Sequence, residues 1–330
     1  MGDVAMTVPV LRVFSETYPD VKITVLSRPF FKPLFGEIPN LDFLEADVKG
    51  RHKRFGIINL AKEAKNLGID AVADLHNVIR SRIITTYLKL KGIETATIDK
   101  GRAEKEALIA AKGQNIFPLK TTHQRYADVF EKLGFPMDLK HFVAPPRKRL
   151  APKLNGLIGV EPKKLIGIAP FAAHHSKMYP LDLMAEVIRE LDRIDKYRIF
   201  LFGGGKKEIE QLKKLEHPFA NVTNVAGKLT FGEELALISN LDLMLSMDSG
   251  NGHLAAMFGV PVLTLWGVTH PFAGFAPFNQ PESNQLLADR EKFPLIPTSV
   301  YGNKFPKGYG EAMRTIALKT VVQQVSSILF

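Results

Sequence analysis

The sequence contains no cysteine, a single tryptophan and no uninterrupted apolar run approaching about 20 residues. The lack of cysteine excludes disulfides, thiolate zinc sites and cysteine nucleophiles, and it fits a reducing compartment. The N-terminus also lacks the basic and then apolar layout of a signal peptide. We therefore expect a cytoplasmic protein that is not exported by the usual route.

The length of 330 residues, with 45% hydrophobic and 24% charged residues, suits a globular protein of two domains. A stretch rich in proline and charge, residues 144–152, has no apolar period and reads as a linker. The predicted domains are therefore 1–147 and 148–330. A closing helix over 311–329 is expected to pack back onto the N-terminal domain.

The formal net charge of +10 is concentrated in the first half of the chain. Residues 1–150 hold 25 Lys and Arg against 17 Asp and Glu, whereas residues 151–330 hold 19 against 17. The cluster of Lys49, Arg51, Lys53 and Arg54 lacks the interleaved aromatics of a single-strand binding track, so nucleic acid is not an expected partner. A solvated basic face and a patch for an anionic partner both remain open.

Short apolar strands alternate with amphipathic helices in both halves. Strands are predicted at 21–26, 41–44, 71–74, 93–98, 165–169, 198–202, 243–246 and 262–266, and helices at 4–17, 57–67, 78–90, 103–111, 122–133, 181–191, 206–215 and 254–258. This alternation predicts parallel βαβ units in doubly wound sheets, whose ligands bind beyond the carboxyl ends of the strands. Residues 268–310 lack periodicity and are predicted to form a long surface segment.

The opening of the first domain is unusual. A domain of this type normally begins with a strand, yet Met1-Gly2-Asp3 already resembles a strand-to-helix turn. Either a first strand lies upstream of this sequence, or the sheet is one strand short.

The strongest local signal is the run from Asp248 to His253, which follows a predicted strand. Ser249 and Gly250 open a helix whose free N–H groups and dipole favour an anion, and His253 is placed to donate to a phosphate oxygen. The alternative is a tight turn in which Asp248 or Ser249 caps the helix and His253 lies on its surface.

Two other loops of the second half also follow strands. Lys177 lies in the first of them and is suited to neutralising a diphosphate. Glu208 follows a glycine triplet, where a carboxylate either accepts from ribose hydroxyls or compensates the helix dipole. His174 and His175 are adjacent without acidic ligands nearby, so no metal site is predicted.

In the first half, Asp3 opens the first helix on the ligand side of the sheet. It is either a helix cap or the base that deprotonates an acceptor hydroxyl. Asp74 at a strand end and Arg80 in the next helix add polar groups to the same side, where they are candidates for holding an anionic acceptor.

Together these motifs resemble glycosyltransferase family 9, the heptosyltransferases of lipopolysaccharide core assembly. The opening 1–11 is similar to the family's G-D-V-x-x-T-x-P-x-L, and 177–180 to its K-x-W-P. The run 248–261 is similar to its D-[ST]-G-x-x-H-x-A-A block, and Asp74-Leu75-His76 with Arg80-Ser81 also contributes. The resemblance spans nearly the whole chain.

The resemblance implies an α/β protein of GT-B fold, in which two Rossmann-like domains face a central cleft. The first domain would bind the acceptor and the second domain the donor. By this resemblance Asp3 is the base, Asp74 and Arg80 belong to the acceptor side, and the donor side is formed by Lys177, Glu208, Asp248, Ser249, Gly250 and His253. It further implies inverting transfer of heptose from ADP-heptose, with no metal or cofactor.

The implied partners are a nucleotide sugar and an anionic glycolipid at the inner membrane surface, which the basic first half suits. Peripheral attachment to the cytoplasmic face is therefore predicted. Ala172 and Ala173 stand where the family usually has hydroxyl residues, which leaves the donor open. The alternatives are another GT-B enzyme of sugar nucleotides, with a different donor or as an epimerase, and a non-catalytic protein that binds a sugar nucleotide or glycolipid.

Overall fold

A computed structural model describes residues 1–159, 161–217 and 219–330. The chain divides into two compact units. The first unit consists of Met1, Asp3–Gly101 and Lys120–Val143, and the second of Gly2, Arg102–Leu119 and Ala144–Phe330. Among the described residues, no helix combines the length and apolar character that crossing a membrane requires.

Helices and short parallel strands alternate along both units. The α-helices are α1 (Gly2–Ala5), α2 (Thr7–Thr17), α3 (Gly56–Asn66), α4 (Ile79–Lys89), α5 (Arg102–Ala110), α6 (Thr122–Glu131), α7 (Pro152–Ile158), α8 (Leu181–Ile194), α9 (Lys206–Glu216), α10 (Phe231–Ser239), α11 (Gly250–Ala256) and α12 (Leu318–Leu329). The strands are β1 (Ile23–Ser27), β2 (Leu41–Glu45), β3 (Ala71–Asp74), β4 (Glu94–Thr97), β5 (Lys164–Ala169), β6 (Tyr197–Leu201), β7 (Val222–Asn224), β8 (Leu243–Met247), β9 (Val262–Trp266) and β10 (Gln285–Leu287).

The second unit is built on a six-stranded parallel sheet in the order β7-β6-β5-β8-β9-β10. This is the doubly wound order in which the chain first moves to one side of β5 and then returns to the other. The register pairs Ala169 of β5 with Ser246 of β8. The carboxyl ends of β5 and β8 therefore flank the topological switch point, where ligands of such sheets bind.

Burial on both faces explains the apolar sequences of the central strands. Every residue of β8 and β9 is buried, as expected for parallel strands covered by helices on both sides. Helix α8 covers one face because Met184, Val187 and Leu191 recur at helical spacing, and each is fully buried. The predicted strands 243–246 and 262–266 and the predicted helix 181–191 are therefore confirmed.

The strands of the first unit form two separate parallel pairs, β1 with β2 and β3 with β4. Every residue of β1 is half-buried, whereas α3 buries Ile57, Leu60, Ala61 and Ala64 on its inner face. The predicted parallel βαβ pattern is confirmed, but the expected single doubly wound sheet appears as these two pairs. Met6 separates α1 from α2, so the predicted continuous helix over 4–17 is broken there.

The end of the chain differs from the prediction in the extent of its helix. A 3₁₀ turn over Tyr309–Thr315 precedes α12, so the predicted helix over 311–329 is too long. The buried face of α12, carried by Val321 and Val325, lies in the core of the second unit. Packing of this helix on the N-terminal domain stays a prediction.

The segment predicted to lie on the surface, residues 268–310, is partly buried in the second unit, although much of residues 301–310 is exposed. Val268 and Ile296 are fully buried in a small apolar cluster, and β10 extends the sheet. The segment Arg102–Leu119 also belongs to this unit, since Leu119 N–H donates to the Phe272 carbonyl. Sequence patterns missed both features because they depend on contacts between distant residues.

Candidate functional site

A buried ion pair joins two of the predicted donor residues. Lys177 Nζ lies 2.9 Å from Asp248 Oδ2, and the two side chains are only 12% and 10% exposed. Lys177 ends a 3₁₀ turn after β5, and Asp248 directly follows β8. Residues 71 positions apart therefore meet at the switch point of the sheet because β5 and β8 are neighbours.

A third residue fixes the Asp248 carboxylate. The hydroxyl of Thr269 donates to Asp248 Oδ2 over 3.0 Å, and Thr269 itself is buried. The two bonds satisfy a carboxylate that would be costly to bury alone. The ammonium of Lys177 has three N–H donors, and its pairing with Asp248 leaves it directed at the carboxyl edge of the sheet. Thr269 was not among the predicted site residues, since nothing in the local sequence pattern distinguishes it.

The predicted block after Asp248 forms the start of α11. Ser249 occupies the N-cap position without making a capping bond, and Gly250 begins the helix. Within the residues that the structure describes, Ser249 Oγ and Asn251 Oδ1 are buried without a hydrogen-bond partner. Buried polar atoms of this kind mark a place where water or a ligand completes the bonding. Asn251 was not among the predicted site residues.

His253 is the fourth residue of the same helix, and it is buried rather than on the helix surface. The alternative in which this residue is a surface histidine is therefore wrong. Ser249 stands at the N-cap position, as the alternative reading has it, but its side chain makes no capping bond, and Asp248 pairs with Lys177.

The side chain of Glu208 makes a hydrogen bond within its own loop. Its Oε2 accepts the N–H of Gly204 over 2.7 Å, which closes the glycine turn between β6 and α9. This local bond agrees with a carboxylate in the first helical turn. A contact of Glu208 with a ribose stays a prediction.

Asp3 lies exposed in the first turn of α1, and its backbone carbonyl accepts the hydroxyl of Tyr126 over 3.2 Å. Burial raises the pKa of Tyr126, and the charge of Asp3 adds to this shift. Tyr126 therefore stays protonated and holds the backbone of Asp3 as a hydrogen-bond donor. The N-cap position of α2 is occupied by Met6, and among the described residues no side chain, including that of Asp3, makes a capping bond there.

Asp74 ends β3 and is buried, and its Oδ1 accepts the backbone N–H groups of His76 and Asn77. One oxygen of this predicted acceptor residue is therefore used to hold a turn. Desolvation and, second, the charge of Lys100 lower the pKa of His76, while Asp3 and Asp74 oppose the shift. Asp3, Asp74 and His76 thus share one electrostatic environment, to which the exposed Arg80 also contributes.

The basic cluster of the first unit lies in a hydrogen-bonded loop, residues 47–56, which we name the basic loop. Asp47 accepts the N–H groups of Gly50 and Arg51, and these bonds hold the pKa of its carboxyl below the usual range. His52 is buried, accepts the Asp47 N–H at Nδ1 and contacts Glu63 through Nε2. The loop presents Phe55, which is 90% exposed.

His174 precedes the 3₁₀ turn that holds Lys177, and His175 is its first residue. In the part of the chain that the structure describes, no group of three or more histidine, aspartate or glutamate side chains converges as a metal site.

His270 makes the stability of the second unit dependent on pH. It is 2% exposed and accepts the Phe272 N–H at Nδ1. Burial and, second, the charge of Arg290 lower its pKa from 6.5 to about 4. The folded state therefore favours the neutral ring, whose contribution is complete above pH 6.5 and is lost as pH falls towards 4.

We expect the free energy of unfolding to fall by about 2 kcal/mol more between pH 7 and pH 5 in the wild type than in His270→Asn. Asparagine retains an acceptor for the Phe272 N–H and does not titrate. Urea unfolding at the two pH values measures this difference. Equal pH dependence in both proteins would contradict the assignment to His270.

Comparisons with known proteins agree with the fold and with the motifs. The family model for glycosyltransferase family 9 (heptosyltransferase) matches residues 57–296. The lipopolysaccharide core heptosyltransferase OpsX of Haemophilus influenzae is 28% identical over 292 residues, covering 84% of this chain and 79% of that protein.

Solved structures show the same architecture. A glycosyltransferase of family 9 from Veillonella parvula superposes with a TM-score of 0.75 at 20% identity, covering 100% of this chain and 94% of that one. The Escherichia coli heptosyltransferase WaaC with ADP gives a TM-score of 0.64 at 18% identity, covering 99% and 97%. The fold is therefore GT-B, as predicted, and the chain is a glycosyltransferase that belongs to glycosyltransferase family 9.

Proposed function

We propose that this protein is an inverting, metal-independent heptosyltransferase that moves heptose from ADP-heptose to a lipopolysaccharide core acceptor. The single observation that carries the proposal is the buried pair of Lys177 and Asp248 at the switch point of the second unit. Family membership and relatives named for transfer of heptose to lipopolysaccharide support the sugar and the acceptor class. A related structure with ADP supports the nucleotide.

In this proposal the second unit binds the donor. The Lys177 ammonium neutralises the diphosphate, and Asp248 and Thr269 hold the ammonium in place. Ser249 and Asn251, whose buried oxygens lack partners within the described residues, complete the donor contacts, together with Gly250 and His253. Preorganised charge of this kind stabilises a leaving diphosphate because the groups need no rearrangement during the reaction.

The first unit contributes the base and the acceptor contacts. Asp3 accepts the proton of an acceptor hydroxyl, and the hydroxyl oxygen forms a bond to the anomeric carbon of the sugar. The bond between that carbon and the diphosphate oxygen breaks, and ADP leaves with the electron pair. Attack opposite the leaving group inverts the anomeric configuration. Asp74 and Arg80 are the acceptor contacts in this scheme.

Nucleotide binding tests the proposal on the donor side. We expect calorimetry to show tighter binding of ADP than of GDP or UDP, with the same affinity in the presence of EDTA. Preference for another nucleotide would keep a sugar-nucleotide enzyme but reject the ADP-heptose donor. Binding that EDTA abolishes would reject metal independence, and no binding of any nucleotide would reject the donor site.

We further propose that the protein attaches peripherally to the cytoplasmic face of the inner membrane through the basic loop. Its four exposed cations, Lys49, Arg51, Lys53 and Arg54, precede Phe55 along the loop. Asp47 accepts backbone N–H groups of the loop, and Glu63 of α3 pairs with Arg51 and His52. An exposed aromatic ring among cations suits an anionic lipid surface, where the ring enters the interface and each cation adds about 1 kcal/mol.

Phe55→Ser is expected to reduce partitioning onto vesicles of phosphatidylcholine with phosphatidylglycerol by about tenfold, since burial of a phenylalanine side chain contributes about 1.5–3 kcal/mol. Leu67→Ser is the matched control, because Leu67 is another exposed apolar residue of the first unit, 54% exposed and outside the loop. Vesicle sedimentation measures the partitioning. Equal loss in both variants, or none in Phe55→Ser, would contradict the role of the loop.

A further inference from the structure

The stem of Lys177 lies against the backbone of a glycine from a distant part of the chain. A Cβ atom on Gly302 would come within 2.6 Å of both Cγ and Cδ of Lys177. Carbon atoms do not approach this closely without displacement, and these two carbons lie in the middle of the side chain rather than at its end. The bare backbone of Gly302 therefore defines the space that the Lys177 stem occupies.

Bonds on both sides of Gly302 hold it at this place. The hydroxyl of Ser176 donates to the Gly302 carbonyl, and the Gly302 N–H donates to Ser299 Oγ over 3.0 Å. The Thr298 N–H donates to the Val268 carbonyl, which ties the segment to the end of β9. Ser176 and Ser299 are buried, so these bonds are protected from solvent.

The backbone of a second glycine packs against the turn that holds Lys177. A Cβ atom on Gly267 would lie 2.3 Å from the carbonyl oxygen of Ser176, the residue preceding Lys177. The Val268 N–H faces the same carbonyl over 3.4 Å. The turn is therefore in contact with the backbone of Gly267 and with that of Gly302, and neither position has room for a side chain.

We propose that Gly302 is a positioning residue, which seats the Lys177 stem so that the ammonium reaches Asp248 and the donor diphosphate. The part that concerns the diphosphate rests on the proposed function, whereas the seating of the stem follows from the contacts alone. In Gly302→Ala the new Cβ atom would overlap Cγ and Cδ of Lys177, so either the lysine stem or the segment 298–304 must move. The ammonium then loses its fixed place beside Asp248.

The matched control is Gly308, a glycine six positions further along the chain. Gly302 and Gly308 both have positive φ, +80° and +87°, so alanine strains the backbone similarly at each. Apart from its two chain neighbours, no described residue has a heavy atom within 4 Å of a Cβ at Gly308. The two variants therefore differ in the contact with Lys177 and not in the sign of the backbone strain. Ser176→Ala is a second variant that removes the bond to Gly302 without adding bulk.

The first readout is the rate at which an amine-reactive reagent modifies Lys177, followed by mass spectrometry of the folded protein. We expect a several-fold faster rate in Gly302→Ala, a smaller increase in Ser176→Ala, and the wild-type rate in Gly308→Ala. A wild-type rate in both Gly302→Ala and Ser176→Ala would overturn the proposal. If Gly302→Ala does not fold, the result for Ser176→Ala decides alone.

The second readout is the Kd of ADP in a double-mutant cycle with Lys177→Ala. Gly302→Ala is expected to weaken ADP binding by about tenfold in the wild type and not at all in the Lys177→Ala background. An equal loss in both backgrounds would overturn the positioning role. Faster modification of Lys177 in a protein whose wild type binds no ADP would support the seating of the stem and reject the proposed donor site.

Discussion

Asp3→Asn is expected to lower kcat for sugar transfer by about 10²–10⁴-fold, because the amide cannot accept the proton of the acceptor hydroxyl. The Kd of ADP is expected to stay at the wild-type value, since Asp3 belongs to the first unit and the proposed donor residues to the second. Release of ADP in the presence of donor and acceptor measures kcat, and calorimetry measures the Kd.

Asp70→Asn is the matched control for the loss of one exposed carboxylate in the first unit. It is expected to transfer at the wild-type rate, because Asp70 precedes β3 and so lies at the amino end of that strand. Ligands of such sheets bind beyond the carboxyl ends of the strands. Wild-type kcat in Asp3→Asn would reject Asp3 as the base. A loss of ADP affinity equal to the loss of kcat would instead indicate that Asp3 acts through donor binding.

Asp248→Ala is expected to lower the free energy of unfolding by about 3 kcal/mol, because it leaves the buried ammonium of Lys177 without its carboxylate. Breaking a buried pair from one side has this cost, whereas replacement of both partners is close to neutral. The double variant Lys177→Met with Asp248→Asn is therefore expected to unfold within about 1 kcal/mol of the wild type. Its asparagine retains an acceptor for Thr269.

The same double variant separates stability from function. It is expected to bind ADP about tenfold to a hundredfold more weakly than the wild type, which corresponds to the loss of one hydrogen bond to a charged group. Urea unfolding and calorimetry on one preparation provide both values. Wild-type ADP affinity in this stable variant would mean that the pair is structural and that Lys177 does not contact the donor.

Much of the second unit was predictable because its signals are local. The strands β5, β8 and β9 are predominantly apolar, and the small residues after Asp248 mark the start of α11. The alternation of strands and helices then indicates which loops reach the ligand side of the sheet. One missed element also had a local signal, since Thr230 and Glu233 form a capping box at the start of α10.

The partners within the site were not predictable from the sequence. Lys177 and Asp248 are 71 positions apart, and the contact with Gly302 lies 125 positions from Lys177. Such contacts depend on strand order and on the packing of an irregular segment, neither of which has a periodic signature. Likewise, the buried side chain of Lys105 over the ring of Phe275, 4.0 Å away, places part of the first half of the sequence in the second unit.

The most direct test is transfer of heptose itself. Purified protein with EDTA, ADP-heptose of known anomeric configuration and a heptose-acceptor lipopolysaccharide core is expected to release ADP, to add one heptose to the acceptor by mass spectrometry, and to invert the anomeric centre by NMR. An acceptor of unchanged mass, a requirement for added metal, or retained configuration would contradict the account.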